Sequence, residues 1–308
     1  MKDIRKPAVA GQFYDANKDD LINTIENCFT DKRGPGKIPE RKNEQKDIKG
    51  VVVPHAGFVF SGAIAAYAYK EIFENGFPDA FIILGPNHTG LGSKVSIMKK
   101  GSWLTPLGKI KINEKLAEKI HSGIIENDKT AHIQEHSIEV QLPFLQYLAK
   151  NKEISFVPIS MSMQDKDTNK EVGKIIGNAI KKTDEKVVII ASSDFSHVGF
   201  NYMSMPPAGT NVDEYAKAQD KKAIDEILKL NPDKLVETVS EENITMCGYG
   251  PVSVMLYASK INGAKKGELL RGLLEEISSS VDSCGMTRGR GLLQGIEYKE
   301  TADDVKKI

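Results

Sequence analysis

Three apolar runs in this chain end in histidine: VVVPHAG at Val51–Gly57, FIILGPNHTG at Phe81–Gly90 and VVIIASSDFSHVG at Val187–Gly199. Each is a strand-length stretch rich in Val and Ile, stopped by Gly, Pro, Asn or Ser. In α/β proteins ligands bind outside the carboxyl ends of the strands. His55, His88 and His197 are half of the six histidines in the chain. Imidazole is the commonest metal ligand and a common acid/base near neutral pH. Three of them on one rim predict a metal site, an acid/base site or both.

Helical patterns lie between and around these runs. Asp19–Thr30 places Leu21, Ile22, Ile25 and Phe29 on one face. Ser61–Asn75 is small and apolar, as suits a helix packed on a sheet, and Asn113–Gly123, Thr168–Lys181, Asp213–Leu230, Pro232–Glu242 and Tyr249–Asn262 also read as helices. Glu135–Lys150 is a further helix that Pro143 should kink or split. Ile154–Ile159 reads as a strand, and Val95–Met98 and Lys109–Ile112 as shorter, more polar ones. Strands alternating with helices predict a three-layer α/β/α sandwich around a mixed, largely parallel sheet. No linker divides the chain, so residues 1–308 are read as a single domain.

Composition sets the limits. The 308 residues are 40% hydrophobic and 27% charged, with 42 basic and 42 acidic side chains. Zero net charge leaves no footprint for nucleic acid. No segment approaches a membrane span or a signal peptide, so a cytoplasmic location is expected. Three cysteines, Cys28, Cys247 and Cys284, are too few for a disulfide scaffold and are expected as thiols or metal ligands. P-loop, Gly-x-Gly-x-x-Gly and Gly-x-Ser-x-Gly signatures are all absent.

Several segments carry chemistry beside a plainer alternative. His55 and His88 occupy equivalent positions past strand ends, and each is a ligand or a buried ring bonded to a carbonyl. Asp194 and His197 form an acid/base pair, or Ser192, Ser193 or Asp194 caps a following turn. Cys247 precedes an apolar helix, where a thiol is expected to have a lowered pKa, or it is a small buried hydrophobe. Cys28 reads as packing and His121 as surface. His132–His136 spells H-x-x-E-H, the spacing of a zinc-peptidase motif with Glu135 as base. Glu139 is a formal third ligand for that motif. Otherwise His132 is an exposed loop residue and His136 a helix-start residue turned to the sheet rim.

As a set, RKPAVAGQFY at Arg5–Tyr14, PHAG at Pro54–Gly57, GPNH at Gly85–His88, EHSIE at Glu135–Glu139, SSDFSH at Ser192–His197 and Cys247-Gly248 resemble the Memo family. That family is also called the AmmeMemoRadiSam system protein B family. The resemblance runs from about Arg5 to about Leu270. Beyond it, residues 270–308 depart from the pattern: Ser278–Gly295 reads as a Gly- and Ser-rich loop where an apolar strand is expected, and Cys284 has no counterpart.

The resemblance implies a fold similar to class III extradiol ring-cleaving dioxygenases. It matches His55, His88 and Cys247 to metal-ligand positions, and Asp194, His197 and His136 to residues lining the same pocket. A thiolate thereby replaces the carboxylate that those enzymes use to hold Fe(II). The softer donor shifts preference toward Cu, Zn or a differently tuned Fe. One metal ion, Fe(II) or Cu ahead of Zn, in a dioxygenase-like oxidoreductase is therefore expected. The alternative is an adaptor that binds a peptide or small molecule in the same pocket. The family's name adds a radical-SAM partner protein. The resemblance also moves H-x-x-E-H away from peptidase chemistry.

Overall fold

The computed structural model describes residues 3–42, 46–150 and 152–268, and the short segments 286–287 and 296–297. In chain order the elements begin with β1 (Ile4–Arg5), α1 (Lys18–Thr30), β2 (Gly50–Val53), a π-helical turn at Phe58–Gly62, α2 (Ala63–Glu74) and β3 (Ala80–Pro86). Then come β4 (Val95–Ile97), β5 (Ser102–Thr105), β6 (Gly108–Ile112), α3 (Glu114–Ile120), β7 (Glu126–Asn127), α4 (Thr130–Ile133) and α5 (Leu142–Ala149). The series continues with β8 (Ser155–Met161), α6 (Lys166–Ile180), β9 (Val187–Ser192), α7 (Val212–Leu228), α8 (Pro232–Glu241) and α9 (Tyr249–Ile261).

The strands form one mixed, mostly parallel nine-stranded sheet in the order β1-β5-β6-β8-β3-β9-β2, with β4 on the second half of β8 and β7 on β4. The sheet's centre explains the site. The strands β3, β9 and β2 are adjacent and parallel, with Leu84 opposite Ala191 and Val53 opposite Ser192. The three histidine-ended runs therefore finish side by side at one edge. Both faces of β3 and β9 are covered, which is why they are uninterrupted apolar runs rather than alternating ones.

One helical layer places α9 against β2, β3 and β9, with α6 and α8 beside it. The other holds α1, α2 and α5, where Phe144 stacks on Tyr69 and meets Phe29 edge-on in the core. The caps follow the sequence. Asn17, Asn113, Asp165, Asn211 and Asn231 each accept a first-turn N–H with the side chain, typically worth about 1 kcal/mol apiece. Cys28 is buried in the packing of α1.

Some expectations need correction. Glu135–Lys150 is not one helix: a 3₁₀ turn at Glu139–Gln141 precedes α5. Pro143 sits in the first turn of α5, where its missing N–H has no intrahelical partner to lose. His132, read as exposed, is fully buried on α4 beside Trp103. Burial first, then the charge on Arg5, brings the His132 pKa down to about 3, so the ring is neutral. The short strands β1, β5 and β7 lack a strong apolar alternation and escaped the sequence reading.

The expected loop Ser278–Gly295 lies outside the described residues except for Met286–Thr287, which pairs antiparallel with Ile296–Glu297. Cys284 also lies outside them. Among the described residues no helix is long and apolar enough to cross a membrane.

Candidate metal centre

His55, His88 and His197 follow strand ends at the sheet edge, His136 follows α4, and Cys247 lies between α8 and α9. Pro54 ends β2 and His55 follows, its backbone N–H donating to Asp194 Oδ1 at 2.9 Å. After β3, Asn87 Oδ1 accepts the N–H groups of Thr89 and Gly90 at 3.1 and 3.0 Å. This side-chain-built turn projects His88 from the edge. Gly85 lies so close to the next wall that a Cβ there would come within 2.4 Å of Ser137 Oγ. Gly248 plays the same part beside Cys247, since a Cβ would meet Ser192 O at 2.5 Å. Gln164 clamps the cysteine turn from both sides, donating to Cys247 O at 3.0 Å and accepting from Gly250 N at 2.7 Å.

His55, His88 and Cys247 bring one ligand atom each to within 4.8 Å of one another. His55 Nε2 lies 3.2 Å from Cys247 Sγ. The His55 ring centroid is 5.1 Å from that of His88 and 5.5 Å from that of His136. A tetrahedral ion with N and S bonds of about 2.0–2.3 Å spaces its ligands roughly 3.3–3.8 Å apart. The His55–Cys247 distance lies close to that spacing and all three atoms fall within 4.8 Å, so the donor set fits one metal ion.

A second triplet, His88, Glu135 and His136, is equally compact. Its carboxylate is already committed. The two Glu135 oxygens accept from His88 N at 2.6 Å, His88 Nδ1 at 3.0 Å, and the N–H groups of His136 and Ser137 at 2.9 Å each. Because a carboxylate only accepts, His88 Nδ1 carries a proton and its Nε2 holds the free lone pair. Glu135 thus orients a ligand-type ring. Burial alone would raise its pKa, but the hydrogen bonds from His88 and from the Ser137 N–H bring it down to about 2.

The remaining pocket residues are placed as follows. His136 is half-buried, stacks on His88 at 4.8 Å and packs on Phe13 at 4.7 Å. Burial holds its pKa below the usual histidine range against the pull of Glu135. Burial likewise, then the neighbouring His88 and His136 rings, holds His55 well below it. Asp194 Oδ2 is 3.8 Å from His55 Nε2, and burial raises its pKa against the opposing His197.

Two readings of this region change. His197 is oriented by Thr245 rather than Asp194: its N–H donates to Thr245 Oγ1 at 2.6 Å, and its Nδ1 to Thr245 O at 3.0 Å. The Cys247 thiol is pushed up, not down, by burial and then by the charge on Asp194. In this pocket desolvation of a thiolate outweighs the pull of the α9 N-terminus.

The zinc-peptidase reading of H-x-x-E-H also fails on geometry. His132 packs on Trp103, in the core. Glu139 is fully consumed, accepting from Arg5 Nη1 at 2.5 Å, Ala8 N at 2.8 Å, Val9 N at 3.1 Å and Tyr14 OH at 2.6 Å. Sequence reasoning missed Glu135 as the residue that orients His88, although its place beside His136 was a usable signal. For Thr245 and Gln164 no local signal exists, while Phe13 lies in the quoted RKPAVAGQFY stretch without being singled out.

The family model for Memo-like proteins matches residues 5–285, past the Leu270 limit set by the motifs. The MEMO1 family protein MK0963 of Methanopyrus kandleri is 44% identical over 269 residues, covering 87% of this chain and 90% of that protein. The MEMO1 family protein PF1638 of Pyrococcus furiosus is 42% identical over 287 residues, covering 91% and 96%. Among solved structures, the uncharacterized protein JW3007 from Escherichia coli K12 aligns with a TM-score of 0.41 and 12% identity over 74% of this chain and 89% of that one. With its family model spanning most of the chain and relatives above 40% identity along their length, this protein belongs to the Memo-like family.

Proposed function

We propose that this protein is a mononuclear metal protein of the non-haem, dioxygenase-like redox type, with His55, His88 and Cys247 as its ligands. The convergence of those three ligand atoms within 4.8 Å, while Glu135 is spent on orientation, carries the reading. Two imidazoles and one thiolate favour Fe(II) or Cu, with Zn as the redox-silent alternative. Three protein ligands leave coordination positions for a substrate, and the ion would supply Lewis-acid or one-electron chemistry there.

The chain's own residues would manage protons around it. His136, whose pKa burial lowers, can accept one on its ring nitrogen. His197 commits Nδ1 to Thr245 O, which leaves Nε2 for exchange. Asp194, whose pKa burial raises, puts Oδ2 3.8 Å from His55 Nε2 while its backbone N–H donates to Cys247 Sγ at 3.3 Å, and its carboxyl can hold a proton beside His55.

Elemental analysis of anaerobically prepared protein tests this directly. About one Fe or Cu per chain is expected, lost in both His55→Ala and Cys247→Ala. Protein that takes up no Fe, Cu or Zn under these conditions sinks the reading.

A second reading, an adaptor that binds a peptide through the same pocket, is favoured by one observation. Large apolar side chains stand exposed on the loops that carry site residues: Val59 after His55, Leu91 after His88, and Phe200, Met203 and Met205 after His197. Peptide affinity measured with and without added metal separates the two readings. Peptide binding that metal abolishes places both ligands in one pocket, and a metal-free protein that binds peptide tightly favours the adaptor.

A further inference from the structure

A line of buried hydrogen bonds runs from the helical core into the candidate centre. The Tyr69 hydroxyl on α2 donates to Gln141 Oε1. Gln141 Nε2 donates to Pro54 O at 2.7 Å and to Ser192 Oγ at 2.9 Å. Ser192 Oγ lies 2.6 Å from Ser137 O and 2.9 Å from His55 Nδ1. Tyr69, Gln141, Ser192, Ser137 and His55 are all at most 2% exposed, so water does not compete for these groups.

The directions along this line follow from proton counting. Pro54 O and Ser137 O are carbonyl oxygens and can only accept. The Gln141 atom beside Pro54 O is therefore its amide nitrogen, and its oxygen faces Tyr69. Ser192 has a single hydroxyl proton. Its shortest contact is to Ser137 O, which otherwise has only a long 3.4 Å bond from Gln141 Nε2. If that proton turned to His55 instead, two oxygens would face each other at 2.6 Å with none between them. The hydroxyl thus donates to Ser137 O, and its two lone pairs accept from Gln141 Nε2 and from His55 Nδ1. His55 is left with the proton on Nδ1 and a lone pair on Nε2, the atom 3.2 Å from Cys247 Sγ.

We propose that Ser192 and Gln141 are positioning residues that hold His55 in its Nδ1–H tautomer, so that Nε2 is the atom it offers to a metal ion. The node also ties together three segments of the rim, at Pro54 before His55, Ser137 after His136, and Ser192 at the end of β9. The metal-binding half of the inference rests on the proposed function; the tautomer does not. Glu135 imposes the same choice on His88 by a different device, a charged carboxylate. At His55 the orienting group is a neutral hydroxyl whose single proton is already used.

The test reads the tautomer in metal-free protein. Long-range ¹H–¹⁵N correlation of ¹⁵N-histidine-labelled protein near pH 7.5 distinguishes the two ring forms, with His55→Asn to assign the signal. Wild type is expected to show Nδ1–H. Ser192→Ala should shift His55 toward Nε2–H and weaken Zn(II) binding, measured by chelator competition, by about 10–100-fold. Ser192→Thr, which keeps the hydroxyl, should return both values toward wild type. Wild-type protein with His55 as Nε2–H overturns the proposal without any variant. Folded Ser192→Ala with unchanged tautomer and affinity overturns it as well. A wild type that shows Nδ1–H yet binds no metal supports the tautomer assignment and removes the metal-centre reading instead.

Discussion

Glu135 and Glu139 lie four residues apart on one short segment, and both are buried, yet their oxygens serve different regions. Glu139 binds the N-terminal stretch Arg5–Tyr14 to the body of the fold, through one guanidinium, two backbone N–H groups and one phenol. Glu135 binds the histidine-bearing turns to each other. Glu139 takes two donors on each oxygen, and Glu135 takes three on Oε1 and one on Oε2. They differ in what the partner has left over. Arg5 spends three more donors on His132 O, Glu135 O and Lys6 O, and its guanidinium lies over Trp103. Partners of Glu135 include a ring nitrogen whose opposite atom is still free. A saturated node is a clamp; a node that orients an unsaturated ring builds a site.

The largest effect is expected at the clamp. Glu139→Ala leaves the Arg5 charge buried without its partner and should cost about 3–5 kcal/mol in denaturant unfolding. Adding Arg5→Met should recover part of that loss, because the stranded charge is gone. A cost below about 1 kcal/mol would mean that Glu139 is not what holds the N-terminal stretch.

The site node should show itself in acid. The Glu135 pKa is lowered from the usual 4.5 to about 2. Its stabilising contribution is therefore complete above about pH 4.5 and is lost as pH falls through 2. In metal-free protein that contribution is about 3 kcal/mol. Glu135→Gln should flatten the stability profile between pH 4.5 and 2. An unchanged profile would show that the carboxylate gains nothing from its donors.

Glu135→Gln should also loosen the orientation of His88 and weaken metal binding by about 10–100-fold, roughly 1.4–2.7 kcal/mol. Glu139→Gln, assayed where it remains folded, should leave metal affinity within a few-fold of wild type. Equal losses in the two variants would erase the distinction between clamp and site. The smallest effect is expected at their junction, where Phe13 from the clamped stretch packs on His136. Phe13→Leu removes a ring contact worth about 0.5–1.5 kcal/mol and should appear as a small drop in melting temperature.

Much of the architecture was legible in advance. The apolar runs of β3, β8 and β9 and the small-residue pattern of α2 and α9 carry their own period and length. The three histidine-ended runs pointed to one rim, and β2, β9 and β3 are indeed neighbours. Other features were not legible. The H-x-x-E-H spacing assumes a continuous helix, but α4 ends at Ile133, so His132 and His136 face different regions. The lowered pKa expected for Cys247 came from its place before α9, which says nothing about how dry its surroundings are.

By itself the sequence determined which residues can ligate, accept protons or end a strand, because those properties belong to side-chain chemistry and local backbone preference. It also determined the alternation of elements, because hydrophobic period is local. Only the tertiary structure decided which nitrogens keep a lone pair, which carboxylate clamps and which one orients. Those outcomes depend on donors and acceptors that lie 47 residues away for His88 and Glu135 and 137 for His55 and Ser192. A hydrogen bond is settled by the few ångströms around an atom, and parallel sheet topology brings those distant partners into that space.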